Sequence, residues 1–204
     1  MKIVPMKVEY FGLHDIPTEH DLLAFIGQIA GECYNSSKDK DKCIQRALNC
    51  IKRGHHSPWE HFNVTLKCTV DRGVSHALVR HRHCAFQQSS TIYQKFQECE
   101  FIDEWPCTSD DKPKAYQHAE IIYNKLLNDG YPPSSARDVL PNALATNLII
   151  TTNIRQWMYM IQRRCGPGDS DNMHAWCKMT REWFEEHYPQ ITLAFDVWYE
   201  KHPL

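Results

Sequence analysis

His61-Phe-Asn-Val-Thr-Leu-Lys-Cys-Thr-Val70 alternates strictly, with Phe62, Val64, Leu66, Cys68 and Val70 at every second position. A period of two places these side chains on one face of an extended chain, so the stretch reads as a half-buried strand. Leu144–Thr152 is rich in β-branched residues and predicts a second strand; Met6–Leu13 predicts a third. Helical patterns surround them. Thr18 can cap a helix in which Leu22, Leu23, Ile26, Ile29 and Ala30 recur up to about Cys33. A second helix is expected from Asp41 to Ile51, stopped by Gly54, and a short one around Val74–Arg80.

Beyond a polar stretch ending near Tyr93, Glu98–Pro113 reads as a Pro-containing polar loop, an insertion with exposed tryptophan or cysteine positions. Lys114–Leu127 is an amphipathic helix ending at Gly130, and Pro132-Pro133-Ser134 opens a short helix closed by Pro141. Asn153 starts a helix to about Arg163, Gly166-Pro167-Gly168 breaks the chain, and one long helix follows from about Ser170 to His187. The expected fold class is α+β: a small mixed or antiparallel sheet, flanking helices and a long C-terminal helical part. With 204 residues and no repeat or linker, one domain over 1–204 is expected.

Composition narrows the function. Twenty-three basic against 25 acidic side chains give a formal net charge of -2, which argues against a protein that grips nucleic acid by its phosphates. No apolar run approaches the ~18 residues of a membrane span, and the N-terminus has no signal-peptide pattern. The nine cysteines are odd in number and lack zinc-finger spacing, so reduced thiols in a cytoplasmic setting, without a structural metal, are expected.

The densest chemical signal is Arg80-His81-Arg82-His83-Cys84-Ala85-Phe86-Gln87-Gln88-Ser89-Ser90-Thr91-Ile92-Tyr93. Four consecutive cationic or titratable side chains cannot all be buried unpaired; they ask for an anion, or else form a solvated basic loop. The Gln-Gln-Ser-Ser-Thr run that follows offers neutral donors and acceptors. A second cluster is Gly54-His55-His56-Ser57-Pro58-Trp59-Glu60-His61, equally readable as a helix stop, a turn and an incoming strand. A third comprises Arg137, Asn153-Ile154-Arg155 and Arg163-Arg164-Cys165. Arg155 and Arg164 are nine apart, about two and a half turns, so they do not share a helix face; they serve different parts of a ligand, or the helix ends between them.

Taken together, these segments resemble the flavin-dependent thymidylate synthases. SHALVRHRHCAFQQSSTIY resembles the family's RHR signature, with seven residues between the triplet and Ser90. GHHSPWEH resembles its GHxSPxEH segment, ARDVLP its ARxVLP, and NIRQW followed by RRC its NxR and later arginine. The resemblance implies FAD bound across a homotetramer interface, and methylation of dUMP with methylenetetrahydrofolate as carbon donor and NADPH as reductant. By motif position it implies that His55, Ser57, Arg80, His81, Arg82, Asn153 and Arg155 contact FAD, joined by His83 and Gln88 of the same run. Arg80, Ser89, Ser90, Thr91, Arg137 and Arg164 would meet the pyrimidine nucleotide, with Arg164 in the catalytic, pyrimidine-activating position. No enzymic thiol is required by such chemistry, so Cys84 is expected to pack as a small apolar residue.

The chain also departs from the pattern. Ile92 stands where the family has Arg, Gln88 where Glu is common, Ala77 where Gln is common, and Gly166–Asp171 replaces a His-Ala-Gln-x-Glu type segment. Losing one guanidinium removes a charge-assisted phosphate contact of ~1.5–3 kcal/mol. Two alternatives therefore stay open: a related flavoenzyme that methylates or hydroxymethylates another pyrimidine nucleotide such as UMP or dCMP, and a catalytically silent flavin-binding paralogue.

Overall fold

In chain order, the computed structural model forms β1 (Lys2–Ile3), β2 (Lys7–Tyr10), α1 (Glu19–Glu32), α2 (Lys40–Arg53), β3 (Asn63–Asp71), α3 (Arg72–Leu78), β4 (Ala85–Gln88) and β5 (Glu100–Phe101). Then follow α4 (Asp111–Asn128), α5 (Pro133–Ala136), β6 (Ala145–Asn153), α6 (Ile154–Arg164), α7 (Asp171–His187) and α8 (Pro189–Lys201). The structure describes residues 1–103 and 110–201. Its architecture is α+β, with a four-stranded antiparallel sheet ordered β2-β3-β6-β4 and a separate parallel pair, β1-β5.

The alternation in β3 is what builds the core. Val64, Leu66, Cys68 and Val70 are buried and sit opposite Thr152, Ile150, Leu148 and Thr146 of β6, also buried. Helices α6 and α7 cover this face. Trp157 of α6 and Trp176 of α7 are fully buried against it, and each finds a partner for its indole N–H: the Val64 carbonyl at 3.2 Å and the Cys68 sulfur at 3.5 Å. The other sheet face stays polar, with Thr65 bonded to Thr151 and Thr69 to Asn147 across β3 and β6.

Helix boundaries follow local chemistry. Thr18, Asp39, Asp71, Asn153 and Ser170 each accept a backbone N–H from the first turn of the helix they cap. Gly54 closes α2 in the left-handed region at φ 69°, where a side chain would be strained.

Several expectations need correction. The strand expected over Met6–Leu13 pairs only from Lys7 to Tyr10. The polar stretch before Tyr93 contains a true strand, β4, because it pairs with β6 along the sheet edge and turns Phe86 and Gln88 inward. Glu98–Pro113 is not simply a polar loop. Cys99, Phe101 and Ile102 are buried, Glu100–Phe101 pairs with β1, and α4 begins at Asp111 with Pro113 in its first turn, where a missing N–H costs nothing. Trp105 and Cys107 of that stretch lie outside the described residues. Finally, the chain does not end its helical part at His187; α8 packs back on α7 and α2.

Candidate active site

The Arg80–His83 turn is held where α3 gives way to edge strand β4. The His81 N–H donates to the Leu78 carbonyl at 3.1 Å, and the Thr152 hydroxyl donates to the His83 carbonyl at 2.6 Å. These bonds fix the backbone, leaving the side chains of Arg80, His81, Arg82 and His83 to line one cleft of ≈ 600 Å³. Asn153, Arg155, Gln156 and Tyr159 line it from the start of α6, Glu60 from the segment before β3, and Trp198 from α8. Six of the residues assigned to flavin from sequence thus meet in one place.

Each partner is specific. Asn153 spends its Oδ1 on the Gln156 N–H at 2.9 Å, so its NH2 remains as donor. Arg155 is ion-paired to Glu60, and its guanidinium lies 5.6 Å from the centre of the Trp198 ring. Among the described residues, no carboxylate forms an ion pair with Arg80 or Arg82, both of which are exposed. His55 and Ser57 are exposed on the neighbouring turn but do not line the cleft. Gln88 points elsewhere: its Nε2 donates to the hydroxyls of Ser75 at 2.9 Å and Thr146 at 3.3 Å. Glu60, Gln156, Tyr159 and Trp198 escaped the sequence assignment. Glu60 sits inside the GHHSPWEH segment and was within reach; Trp198 is carried by a helix that was not foreseen.

Behind the turn sits Arg164. Its Nε donates to His81 Nε2 at 3.1 Å, its Nη2 donates to the Ala77 carbonyl at 2.7 Å, and its Nη1 is 3.6 Å from an Asp169 carboxylate oxygen. Arg155 and Arg164 lie on the same continuous helix α6, so the helix does not end between them; Arg155 lines the cleft, and Arg164 donates to His81, which lines it too.

Since a guanidinium only donates, His81 Nε2 must accept and the ring must be neutral. His81 is 8% exposed, and burial, reinforced by Arg164 and Arg163, lowers its pKa from 6.5 to about 4. The sign of the linkage follows. Between pH 6.5 and about 4 the unfolded chain takes up this proton and the folded chain does not. Stability is therefore unaffected by this group above the unfolded value and is lost as pH falls through that window. Replacing His81 by Gln, which keeps an acceptor, is expected to flatten the decline of Tm from pH 6.5 to 4. Parallel thermal melts of the two proteins across the window check this; superimposable slopes would refute it.

The remaining substrate candidates lie apart from the first cleft. Ser89 and Thr91 line a second cavity of ≈ 470 Å³ with Lys2, Lys7, Thr69 and Asn147. Arg137 holds Thr91 from beneath, its Nη1 donating to the hydroxyl at 2.9 Å. Ser90 accepts the Ile92 N–H at 3.2 Å, and Ile92 itself is 43% exposed. Cys84 is half-buried with its thiol 3.3 Å from the Met160 sulfur, and burial pushes its pKa up, away from a nucleophilic thiolate.

Comparison with known proteins places this geometry. The family model described as thymidylate synthase complementing protein matches residues 18–190. A flavin-dependent thymidylate synthase of Geobacter sulfurreducens is 35% identical over 120 residues, covering 55% of this chain and 52% of that one, about half its length. A probable flavin-dependent thymidylate synthase of Paramecium bursaria Chlorella virus 1 is 24% identical over 204 residues, covering 89% of this chain and 92% of that one. A flavin-dependent thymidylate synthase of Corynebacterium efficiens is 27% identical over 198 residues, covering 86% and 79%. The chain belongs to the thymidylate synthase complementing protein family, the enzyme family of these relatives.

Proposed function

We propose that this protein binds FAD and methylates ring carbon 5 of a pyrimidine nucleotide, dUMP to dTMP, with methylenetetrahydrofolate as carbon donor and NADPH as reductant. The observation that carries the reading is the cleft itself. Arg80, Arg82, Asn153 and Arg155 come from segments some seventy residues apart and converge beside the aromatic rings of Tyr159 and Trp198. The guanidiniums of Arg80 and Arg82, free of carboxylates among the described residues, amide donors and flat rings are the set that a pyrophosphate joined to aromatic ring systems requires. Flavin, when bound, would supply the hydride that reduces the transferred carbon.

The chain's own part is to bind and to place charge. Arg80 and Arg82 would hold the pyrophosphate, and Asn153 would donate from its amide. Arg164 would set a cation against the pyrimidine carbonyl and stabilise the negative charge that develops as carbon 5 attacks. Neutral His81 and the Ala77 carbonyl orient that guanidinium through Nε and Nη2, while the Asp169 carboxylate, 3.6 Å from Nη1, answers part of its charge. Because the substrate candidates are divided between two cavities of one chain, we further infer a homotetramer in which neighbouring copies complete each site, each copy being one domain.

One observation favours a second reading. Ile92, exposed beside Thr91, removes a charge from the expected phosphate wall, while the Gln88 amide is committed inside the fold. A nucleotide other than dUMP would then be the substrate. Flavin-loaded protein incubated with methylenetetrahydrofolate, NADPH and dUMP, UMP or dCMP decides by product mass. Formation of dTMP is expected. Product from UMP or dCMP alone would establish the second reading, and protein that takes up flavin but converts none of the three would be the silent paralogue.

A further inference from the structure

We propose that Cys165 and Cys177 form a dithiol site that hydrogen peroxide converts into a disulfide, with Cys165 as the attacking sulfur and Cys177 as the resolving one. The site shares no residue with the cleft assigned to flavin, and it does not rest on the nucleotide-methylating reading.

Cys165 caps the C-terminus of α6, where its N–H donates to the Ile161 and Gln162 carbonyls at 3.1 and 3.3 Å. Cys177 lies in α7, and its thiol donates to the same Ile161 carbonyl at 3.6 Å. One oxygen thus touches both residues and ties the end of α6 to α7. Both cysteines line a cavity of ≈ 490 Å³ with His174 and Arg181, and their thiols are hydrogen-bond partners. Burial divides the pair: Cys165 is exposed and Cys177 is buried. Beyond Cys165 the chain breaks at Gly166-Pro167-Gly168, so this sulfur can swing towards α7 without unwinding a helical turn.

Electrostatics select the attacker. The hydrogen bond from Cys177, helped by His174 and Arg181, holds the Cys165 thiol below its ordinary range, against burial and the Asp169 carboxylate. Cys177 is shifted the other way, first by its bond to Cys165 and then by burial, so it keeps its proton. The thiolate is the nucleophile. Cys165 attacks one peroxide oxygen and the O–O bond breaks. That oxygen stays on sulfur as the sulfenic acid, and the other leaves as hydroxide, which takes a proton from solvent to give water. With Cys165 now neutral, the first cause of the raised Cys177 pKa is gone. Cys177 then loses its proton, attacks the Cys165 sulfur and displaces hydroxide, again protonated to water. Two thiols and one peroxide become one disulfide and two waters. An exposed thiol of low pKa beside a resolving partner is the arrangement that redox-sensing cysteines use.

One peptide carries the test. Trypsin cuts after Arg164 and Lys178 and nowhere between, so peptide 165–178 holds both cysteines. The full chain as purified is reduced, desalted, exposed to hydrogen peroxide near molar equivalence, quenched in acid and alkylated with a maleimide in denaturant before digestion. The peptide is expected to be two hydrogens lighter and to take up no maleimide, and dithiothreitol should restore both properties. Cys33, the other exposed cysteine among the described residues, should stay open to alkylation. In Cys177→Ser the reaction should stop at the Cys165 sulfenic acid, captured as a dimedone adduct on peptide 165–178. In Cys165→Ser no adduct should form on Cys177; this replacement is at an exposed position and covers the case in which the buried one fails to fold. A wild-type peptide that keeps both thiols, whether or not Cys33 reacts, would overturn the proposal. So would a folded Cys177→Ser protein without a dimedone adduct at Cys165, or an adduct on Cys177 in Cys165→Ser.

Discussion

Arg164→Ala is expected to lower kcat/KM for the nucleotide by about two decades or more, the scale of losing one preorganised electrostatic contact at a site of developing charge. The residue is part-buried in the last turn of α6, where a cation is also favoured by the helix C-terminus. Its three contacts fix the guanidinium before any ligand arrives, so little reorganisation is left for the reaction itself. The loss should fall mainly on kcat if the cation acts on the transition state, and on KM if it only binds ground-state substrate. Removing the side chain leaves His81 Nε2 and the Ala77 carbonyl short of a donor, which costs ~1–3 kcal/mol of stability before water compensates. Melting curves must therefore accompany the kinetics. Arg163→Ala is the matched control: Arg163 is exposed, adjacent in sequence and contributes to the field on His81, yet makes none of the three contacts. Nucleotide turnover in Arg164→Ala equal to that of Arg163→Ala would remove Arg164 from the chemistry.

How much of this was legible beforehand depends on which force shapes each element. The strands β3 and β6 are long and half-buried, so burial writes a period of two, or a β-branched run, directly into the residues. Strand β4 is short and lies on the sheet edge; its inward Gln88 is satisfied by two hydroxyls rather than by apolar contact, which leaves no hydrophobic alternation to read. Strand β5 pairs over two residues with the far N-terminus, a long-range contact that local patterning cannot encode. No helix was expected beyond His187, although Pro189 is well placed to open α8, proline being well tolerated in a first helical turn. The same division holds for the site. Arg80, Arg82, Asn153 and Arg155 stand in recognisable motifs, whereas Trp198 joins the cleft only because α8 folds back.

The double replacement Arg80→Ala and Arg82→Ala is expected to abolish flavin retention while leaving a folded chain. Both side chains are exposed, and among the described residues neither is tied into an ion pair, so truncating them removes no structural partner. Each would contribute a charge-assisted contact to pyrophosphate of ~1.5–3 kcal/mol, so losing both corresponds to about two to four decades in affinity. That is sufficient to turn a cofactor carried through purification into one lost on dilution. Flavin absorbance per chain, with circular dichroism on the same sample, reads both halves of the expectation. Arg155 provides the contrast, because its charge is partly answered by Glu60 within the cleft. Arg155→Ala exposes that carboxylate to the pyrophosphate, so it should cost more than one lost donor, and Glu60→Gln in the same background should recover part of the loss. A double variant at Arg80 and Arg82 that stays as yellow as wild type would mean the cationic cleft serves some other anion. Restoration by Glu60→Gln, on the other hand, could arise only if a negative group lies within reach of Glu60, which ties the ligand's phosphates to this end of α6.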